Sequence, residues 1–332
     1  MRLKLFAGIL MIGLMVFGGW HLLHSSNNVP SNELETVRMA NLPVIQGLPV
    51  YLALKKGYFK EAGINVELIS FTAPNQIIDA LLEHRVDVTS PSAANGIVSI
   101  AESKHPGELK IYAVGGGDLV IQNDAILVKT SSTLTTLRGL KGKRLGIVAG
   151  SIQWRTIAQS ILKQNGLEAD KDVVLVELAL GVQAQALESG QIDALLAIEP
   201  MPTIIKTSGI GKELASHAAA RYVATPFYAG AGVVSAKFAH EHPTTTQKLL
   251  AILRRSIDEV NRDPEATRQY LKTYTSLSDV ALQQIPISHF KLYDQLTTDD
   301  IKAVQQFYDL FPEMSVTNRT VRVGEVLYKP IP

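Results

Sequence analysis

The 332-residue chain contains no cysteine. That single absence excludes disulfides, thiolate nucleophiles, thiolate-ligated zinc and thiol-linked lipid anchors. An excess of one charge is missing too. Thirty-two Lys and Arg against 31 Asp and Glu leave a formal net charge of +1. A chain so balanced has no broad basic field, so nucleic acid is not an expected partner. Glycine-rich Gly115–Gly117 lacks the Gly-Lys-Ser/Thr that would make it a phosphate loop. His240 and His242 flank Glu241 without metal-ligand spacing. Neither a metal nor a cofactor is expected. What the chain does have is core: 46% of its residues are hydrophobic and 19% charged. A globular protein of about two domains follows from that length and composition.

The N-terminus is the exception to the even patterning. Arg2 and Lys4 precede an apolar run from Leu5 to Gly19, and the run extends to Leu23 if Trp20 and His21 are included. A basic start before an apolar stretch describes an export signal. No Ala-x-Ala cleavage pattern follows, and Val16-x-Gly18 is the nearest substitute. Residues 1–24 are therefore expected to be a signal peptide or an uncleaved signal anchor, with 25–36 a polar linker. Either outcome places the body in the periplasm or another extracytoplasmic space. An uncleaved leader would hold it at the inner membrane, with Arg2 and Lys4 keeping its start cytoplasmic.

The rest alternates strand and helix signals. Leu48–Leu68 reads LPVYLALKKGYFKEAGINVEL. Pro49 suits a first helical turn, where its missing N–H has no partner to lose. Gly57 supplies a left-handed stop. Ile64, Val66 and Leu68 then alternate with polar residues at the period of a strand. Pro74-Asn75 opens a helix whose stripe is Ile77, Ile78, Leu81 and Leu82, and Val86–Val88 reads as the next strand. A second unit repeats the plan. Arg144–Val148 is a strand, Gly150-Ser151 caps a helix stopped at Asn165-Gly166, and two further strands end at Leu178 and Ile198. The closing pieces share a pattern: Ala80-Leu81 with Arg85-Val86-Asp87, and Ala186-Leu187 with Gln191-Ile192-Asp193. Two duplicated α/β lobes with parallel sheets are expected, with ligands outside the carboxyl ends of the strands.

These segments, in order from about Val37 to Pro243, resemble the exported substrate-binding proteins of ABC importers. The similar group binds nitrate, taurine, aliphatic sulfonates and thiamine-pyrimidine precursors. Besides the segments above, the resemblance is carried by Leu137–Gly146 (LRGLKGKRLG), Gly150-Ser151, Glu199-Pro200 and Phe238–Pro243 (FAHEHP). It implies the α/β two-lobed type II periplasmic-binding-protein fold, each lobe a mostly parallel sheet flanked by helices, with a hinged cleft between them. Two crossing strands are expected near Ala125–Lys129 and Ala231–Ser235. Lobe I is then 34–128 plus 230–332, and lobe II is 129–229. One departure is His84, standing where the second copy keeps Gly190; it is read as turn geometry, since His tolerates the left-handed region better than most residues.

Candidate ligand contacts follow from strand ends facing the cleft. They are Gln46, Gly47, Ser90, Ser92, Gly117 and Asp118 from the first lobe, and Ser151, Gln153, Trp154, Arg155 and Glu199 from the second. Tyr228 lies near the return crossing. Ser92 and Ser151 are expected at helix starts, as caps or as part of an anion site. Trp154 is expected as a partly exposed stacking wall. Arg155 is either a bidentate partner of an anion or a surface ion pair. Glu199 is the sharpest choice, because a carboxylate there favours an amine on the ligand. The expected function is capture of a small polar solute and delivery to permease and ATPase subunits, by a monomer without catalysis. The alternative is an anchored ligand sensor. Enzymes similar in fold rely on cysteine, which this chain lacks.

Overall fold

In the computed structural model, which describes residues 34–330, two β-sheets stand side by side with helices packed on them. The expected leader, and the linker up to residue 33, lie outside the described residues. Among the described residues no helix is long and apolar enough to cross a membrane.

The chain enters the first sheet through β1 (Glu35–Asn41), β2 (Ile64–Ser70), β3 (Val88–Thr89), β4 (Ala93–Ala94) and β5 (Leu109–Gly117). It then builds the second sheet from β6 (Asp124–Lys129), β7 (Arg144–Val148), β8 (Val174–Leu178), β9 (Ala194–Ile198) and β10 (Gly211–Ser216). Finally it returns with β11 (Phe227–Ser235) and β12 (His289–Leu292). The first sheet runs in the order β12-β5-β11-β3-β1-β2, with β4 on β11, and the second in the order β10-β6-β9-β7-β8. The expected parallel strands are β2-β1-β3 and β8-β7-β9. Antiparallel strands extend each set, so both sheets are mixed.

Local chemistry explains the opening unit. Pro49 occupies the first turn of the Leu48–Lys55 helix, and Gly57 takes the left-handed conformation at φ 75° that ends it. The chain turns again at Gly63, φ 80°, and enters β2. His84 lies at φ 56° and Gly190 at φ 78°, so the two copies make the same left-handed turn with different residues.

The shared Asp of the two closing pieces has a structural task. In the first lobe Arg38 on β1 donates to Asp87 through its backbone N–H, Nε and Nη2 at 2.8, 3.1 and 2.5 Å. In the second, Arg144 on β7 donates to Asp193 through the same three atoms at 2.9, 3.1 and 3.2 Å. Each carboxylate thereby ties the loop entering the third strand to the strand beside it, with a bidentate, charge-assisted pair. The duplication is thus preserved in bonding and not only in pattern.

The chain passes between the sheets at residues 118–123 and 223–226. Ala125–Lys129 and Ala231–Ser235, expected as crossing strands, are strands, but each lies within one sheet and its crossing precedes it. The reason is burial. An unbroken apolar run needs cover on both faces, so it lies within a sheet, whereas a crossing tolerates polar and turn-forming residues such as Asp118, Gln122 and Asn123 in the first and Thr225-Pro226 in the second.

One apolar cluster spans both sheets. The Thr298–Glu313 helix, formed by the returning chain, brings Phe307 to Phe227 with ring centroids 5.0 Å apart. Phe227 in turn meets Trp154 of the Ile152–Gln164 helix edge-on at 6.2 Å. The two halves are therefore packed together and not merely linked by their crossings.

Candidate functional site

Because β1 and β3 are parallel neighbours, the loops after them leave the sheet on the same side. Ser90 Oγ donates to Asn41 Oδ1 at 2.8 Å and lies 2.6 Å from Ser92 Oγ. Ser92 Oγ accepts from the Leu42 N–H at 2.8 Å, and Tyr51 donates to Asn41 Oδ1 at 3.0 Å. Both serines are buried and spent on holding two loops together. Ser92 does not open a helix as expected: the helix runs Asn95–Lys104, because the intervening Ala93-Ala94 joins β11 as β4.

Gln46 sits in the short 3₁₀ turn Ile45–Gly47 and is buried. Its Nε2 donates to Asn123 Oδ1 on the first crossing, and Ser288 Oγ reaches the same oxygen at 3.3 Å. Gly47 beside it is a packing residue. A Cβ there would lie 2.4 Å from the Tyr51 ring and 2.9 Å from Asn41 Oδ1, so only glycine admits this close approach.

From the second sheet comes Glu199, at the end of β9, with no exposed surface. Its backbone N–H donates to the Asn123 carbonyl at 2.9 Å, which joins it to the same crossing as Gln46. Glu199 Oε2 accepts from the Thr203 N–H at 3.2 Å, while Oε1 has no partner among the described residues. Gln46 Oε1 and Asn123 Nδ2 are likewise buried and unpartnered. Burial pushes the Glu199 carboxyl up to about 7, against the hydrogen bond from Thr203. Next to Asn123, Asp124 is also raised to about 7 by burial, although it accepts the Ala219 N–H at 2.8 Å. Asp124 thus connects the end of the first crossing to the short helix that precedes the second.

Gln153 bridges the halves directly. Its Oε1 accepts from the Gly96 N–H at 2.6 Å, and its Nε2 donates to the Ala229 carbonyl at 3.2 Å. Ser151 is the cap of its helix as expected, its Oγ accepting from the Trp154 N–H at 3.4 Å. Trp154 itself is only 2% exposed. Packed edge-on against Phe227 of the returning strand β11, within the apolar cluster that spans both sheets, it is core and not the expected stacking wall. Arg155 forms an ion pair with Asp170 at 2.7 Å and lies 3.7 Å from Glu177. It lines a groove of about 500 Å³ together with Ser151 of its own half and Asn75 and Asp79 of the other.

Gly117, Asp118 and Tyr228 gather elsewhere, in a pocket of about 710 Å³ beside the crossings, with Lys291 and Asp300. Tyr228 donates to Asp300 Oδ1 at 2.7 Å, which ties it to the Thr298–Glu313 helix. Asp118 Oδ1 accepts from the Val120 and Ile121 N–H groups and so builds its own turn. Asn41, Asn123 and Asp124 are absent from the sequence-based candidates. Only the Asn123-Asp124 pair leaves a trace in sequence, as two polar residues directly ahead of the apolar AILV run.

Chemically, the cluster offers amides, hydroxyls and one carboxyl. Its serine hydroxyls are committed to Asn41 and Leu42, with no histidine bonded to them. Among the described residues no His, Asp or Glu group is arranged to hold a metal. The hydrogen-bonding capacity left unused at this junction is that of Gln46 Oε1, Asn123 Nδ2 and Glu199 Oε1.

Similarity to known proteins agrees in fold. The alkanesulfonate-binding protein of Xanthomonas axonopodis pv. citri, solved with MOPS, superposes with a TM-score of 0.72 at 20% identity, over 89% of this chain and 99% of that one. The periplasmic nitrate-binding protein of Synechocystis gives 0.67 at 12% identity, over 88% and 84%. By sequence, a Bacillus subtilis protein provisionally named for aliphatic sulfonate binding is 22% identical over 305 residues, 90% of this chain and 89% of the relative. A Saccharomyces cerevisiae 4-amino-5-hydroxymethyl-2-methylpyrimidine phosphate synthase is 23% identical over 241 residues, 69% and 68%. The profile described as NMT1/THI5 like matches residues 45–267, two thirds of the sequence, and the chain belongs to that family.

Proposed function

We propose that the chain is the extracytoplasmic solute-binding component of an ABC importer. It captures a small polar solute between two lobes, one built on the first sheet and one on the second, and delivers it to a membrane permease without chemistry. One observation carries this reading. Gln46 Oε1, Asn123 Nδ2 and Glu199 Oε1 are buried at contacting segments of the two halves and have no partner among the described residues. Unpaired buried polar atoms are costly, and a solute supplying the missing bonds offsets that cost. Two of the three atoms accept and one donates. Glu199, once paired with a cationic donor, would ionise at neutral pH. A solute bearing an amine or amide group suits that set. Relatives named for sulfonate and nitrate binding favour an anionic group as well, and a zwitterion satisfies both. The protein acts as a monomer, and an uncleaved leader would keep it at the membrane.

The yeast relatives named as synthases favour a second reading, an enzyme on this fold. The absence of cysteine weighs against it wherever the reaction needs a thiol. Thermal-shift screening of the full chain against aminosulfonates, alkylsulfonates, nitrate, aminopyrimidines and amino acids tests the first reading. A bound solute raises the melting temperature by linkage, and Glu199→Gln should reduce that gain for an amine-bearing solute. If no class shifts the transition and product forms in a turnover assay, the binding reading fails.

A further inference from the structure

β5 and β11 each have one end at the crossings, Gly117 and Phe227. Their opposite ends, near Lys110 and Ser235, lie at the far side of the first sheet and open onto a separate pocket of about 570 Å³. Its floor is apolar. Ala236 and Ala239 present one face of the Ala236–Glu241 helix, and Leu327 and Tyr328 come from the returning C-terminal segment. Small alanines leave the space open, and Tyr328 is fixed there by its N–H bond to the Ile111 carbonyl and its edge-on contact with Tyr293.

The rim is cationic. Lys110, Arg322 and Lys329 line it, and none of them has an ion-pair partner among the described residues. The one acid on the rim, Glu325, is already committed. Its Oε2 accepts from Arg319 Nη1 at 2.9 Å and its Oε1 from the Arg322 N–H at 3.2 Å. Lys110 Nζ is held over the pocket by the Glu325 carbonyl at 2.9 Å. An apolar floor under unpaired cations favours a ligand with the opposite pairing: a hydrocarbon portion and a single anionic head.

We propose that this pocket is a second binding site, independent of the one between the halves, for a small amphiphilic anion such as an alkyl phosphate or carboxylate. The hydrocarbon lies on Ala236, Ala239, Leu327 and Tyr328, and the head meets Lys110, Arg322 and Lys329. Such a group could be a free metabolite or the headgroup region of an anionic lipid.

The test titrates the full chain with octyl phosphate below its micelle concentration, with inorganic phosphate and octyl glucoside as half-ligands. Octyl phosphate should bind saturably, at least tenfold more tightly than either half-ligand and more weakly as salt rises. The double variant Arg322→Glu/Lys329→Glu replaces two exposed side chains and should weaken binding at least tenfold. Ala236→Leu, which fills the floor, should weaken octyl phosphate without affecting inorganic phosphate. Glu199→Gln should leave this binding unchanged, so that loss of the cleft reading and loss of this one are separable. Vesicles of phosphatidylglycerol against phosphatidylcholine then distinguish the sources. Retention on phosphatidylglycerol in excess of that on phosphatidylcholine, lost in the double variant, identifies a lipid head; equal retention on both, or none, with octyl phosphate still variant-sensitive, identifies a free anion. Equal affinity for inorganic phosphate, or octyl phosphate binding indifferent to the double variant, overturns the proposal.

Discussion

Replacing Glu199 with glutamine alters one group where the two halves meet and should change the protein's response to pH more than its stability at any single pH. The carboxyl is fully buried, accepts one N–H from Thr203 and leaves Oε1 without a partner. Burial raises it from an ordinary 4.5 to about 7 in the folded chain. Between those two values the folded chain retains a proton that the unfolded chain has released. Its contribution is therefore fully present below about 4.5 and is lost as pH rises to about 7. At about 1.4 kcal/mol per pH unit, the loss over that interval is about 3 kcal/mol. Glutamine has no proton to lose. Urea unfolding of the parent and Glu199→Gln at pH 4.5, 6, 7 and 8 should show the variant gaining on the parent by about 3 kcal/mol across the series. Asp124, raised to about 7 by the same cause, adds a similar slope to both proteins and cancels in the difference. A stability difference independent of pH would mean that Glu199 titrates as a solvated carboxylate, and the burial argument would be wrong.

Other expectations follow from individual contacts. Trp154→Ala should destabilise by about 3–5 kcal/mol, because it empties a buried space against Phe227; thermal or urea unfolding reads it, and a cost below 1 kcal/mol would restore Trp154 as an exposed wall. Gly96→Ala would put a methyl 2.4 Å from the Phe311 ring and 2.8 Å from Phe307, so about 1–3 kcal/mol should be lost in the same assay. Asp87→Asn removes the charge from a three-bond clamp and should cost about 1–3 kcal/mol, an unfolding midpoint within error of the parent being the contrary result. At the matched left-handed turns, Gly190→Ala should cost about 1 kcal/mol while His84→Gly should be neutral or slightly stabilising, since only the first introduces a Cβ at positive φ.

Local signals were legible wherever they depend on near neighbours in sequence. Pro49 and Gly57 bounded a helix, the alternation from Ile64 to Leu68 made a strand, and the repeated Ala-Leu…Asp pattern marked two related lobes. The pattern could not say why aspartate recurs. Its partner lies 49 residues away in each copy, on a strand that becomes adjacent only after folding. The crossings were misplaced for a related reason: AILVK and AGVVS are strands, but the sheet each lies within is set by neighbours distant in sequence.

By itself, then, the sequence determined the α/β alternation, the duplication, the lack of thiol chemistry and the family, because these depend on residue type and short spacing. Tertiary structure decided which polar groups are short of partners and which aromatics are exposed. Trp154 became core because Phe227, on the returning strand, packs edge-on against it, and Arg155 was taken by Asp170 and Glu177. Glu199 became the central group because Asn123 and Gln46 meet beside it and water is excluded. Burial belongs to the assembled fold, and it is burial that turns an ordinary glutamate into one held near neutrality.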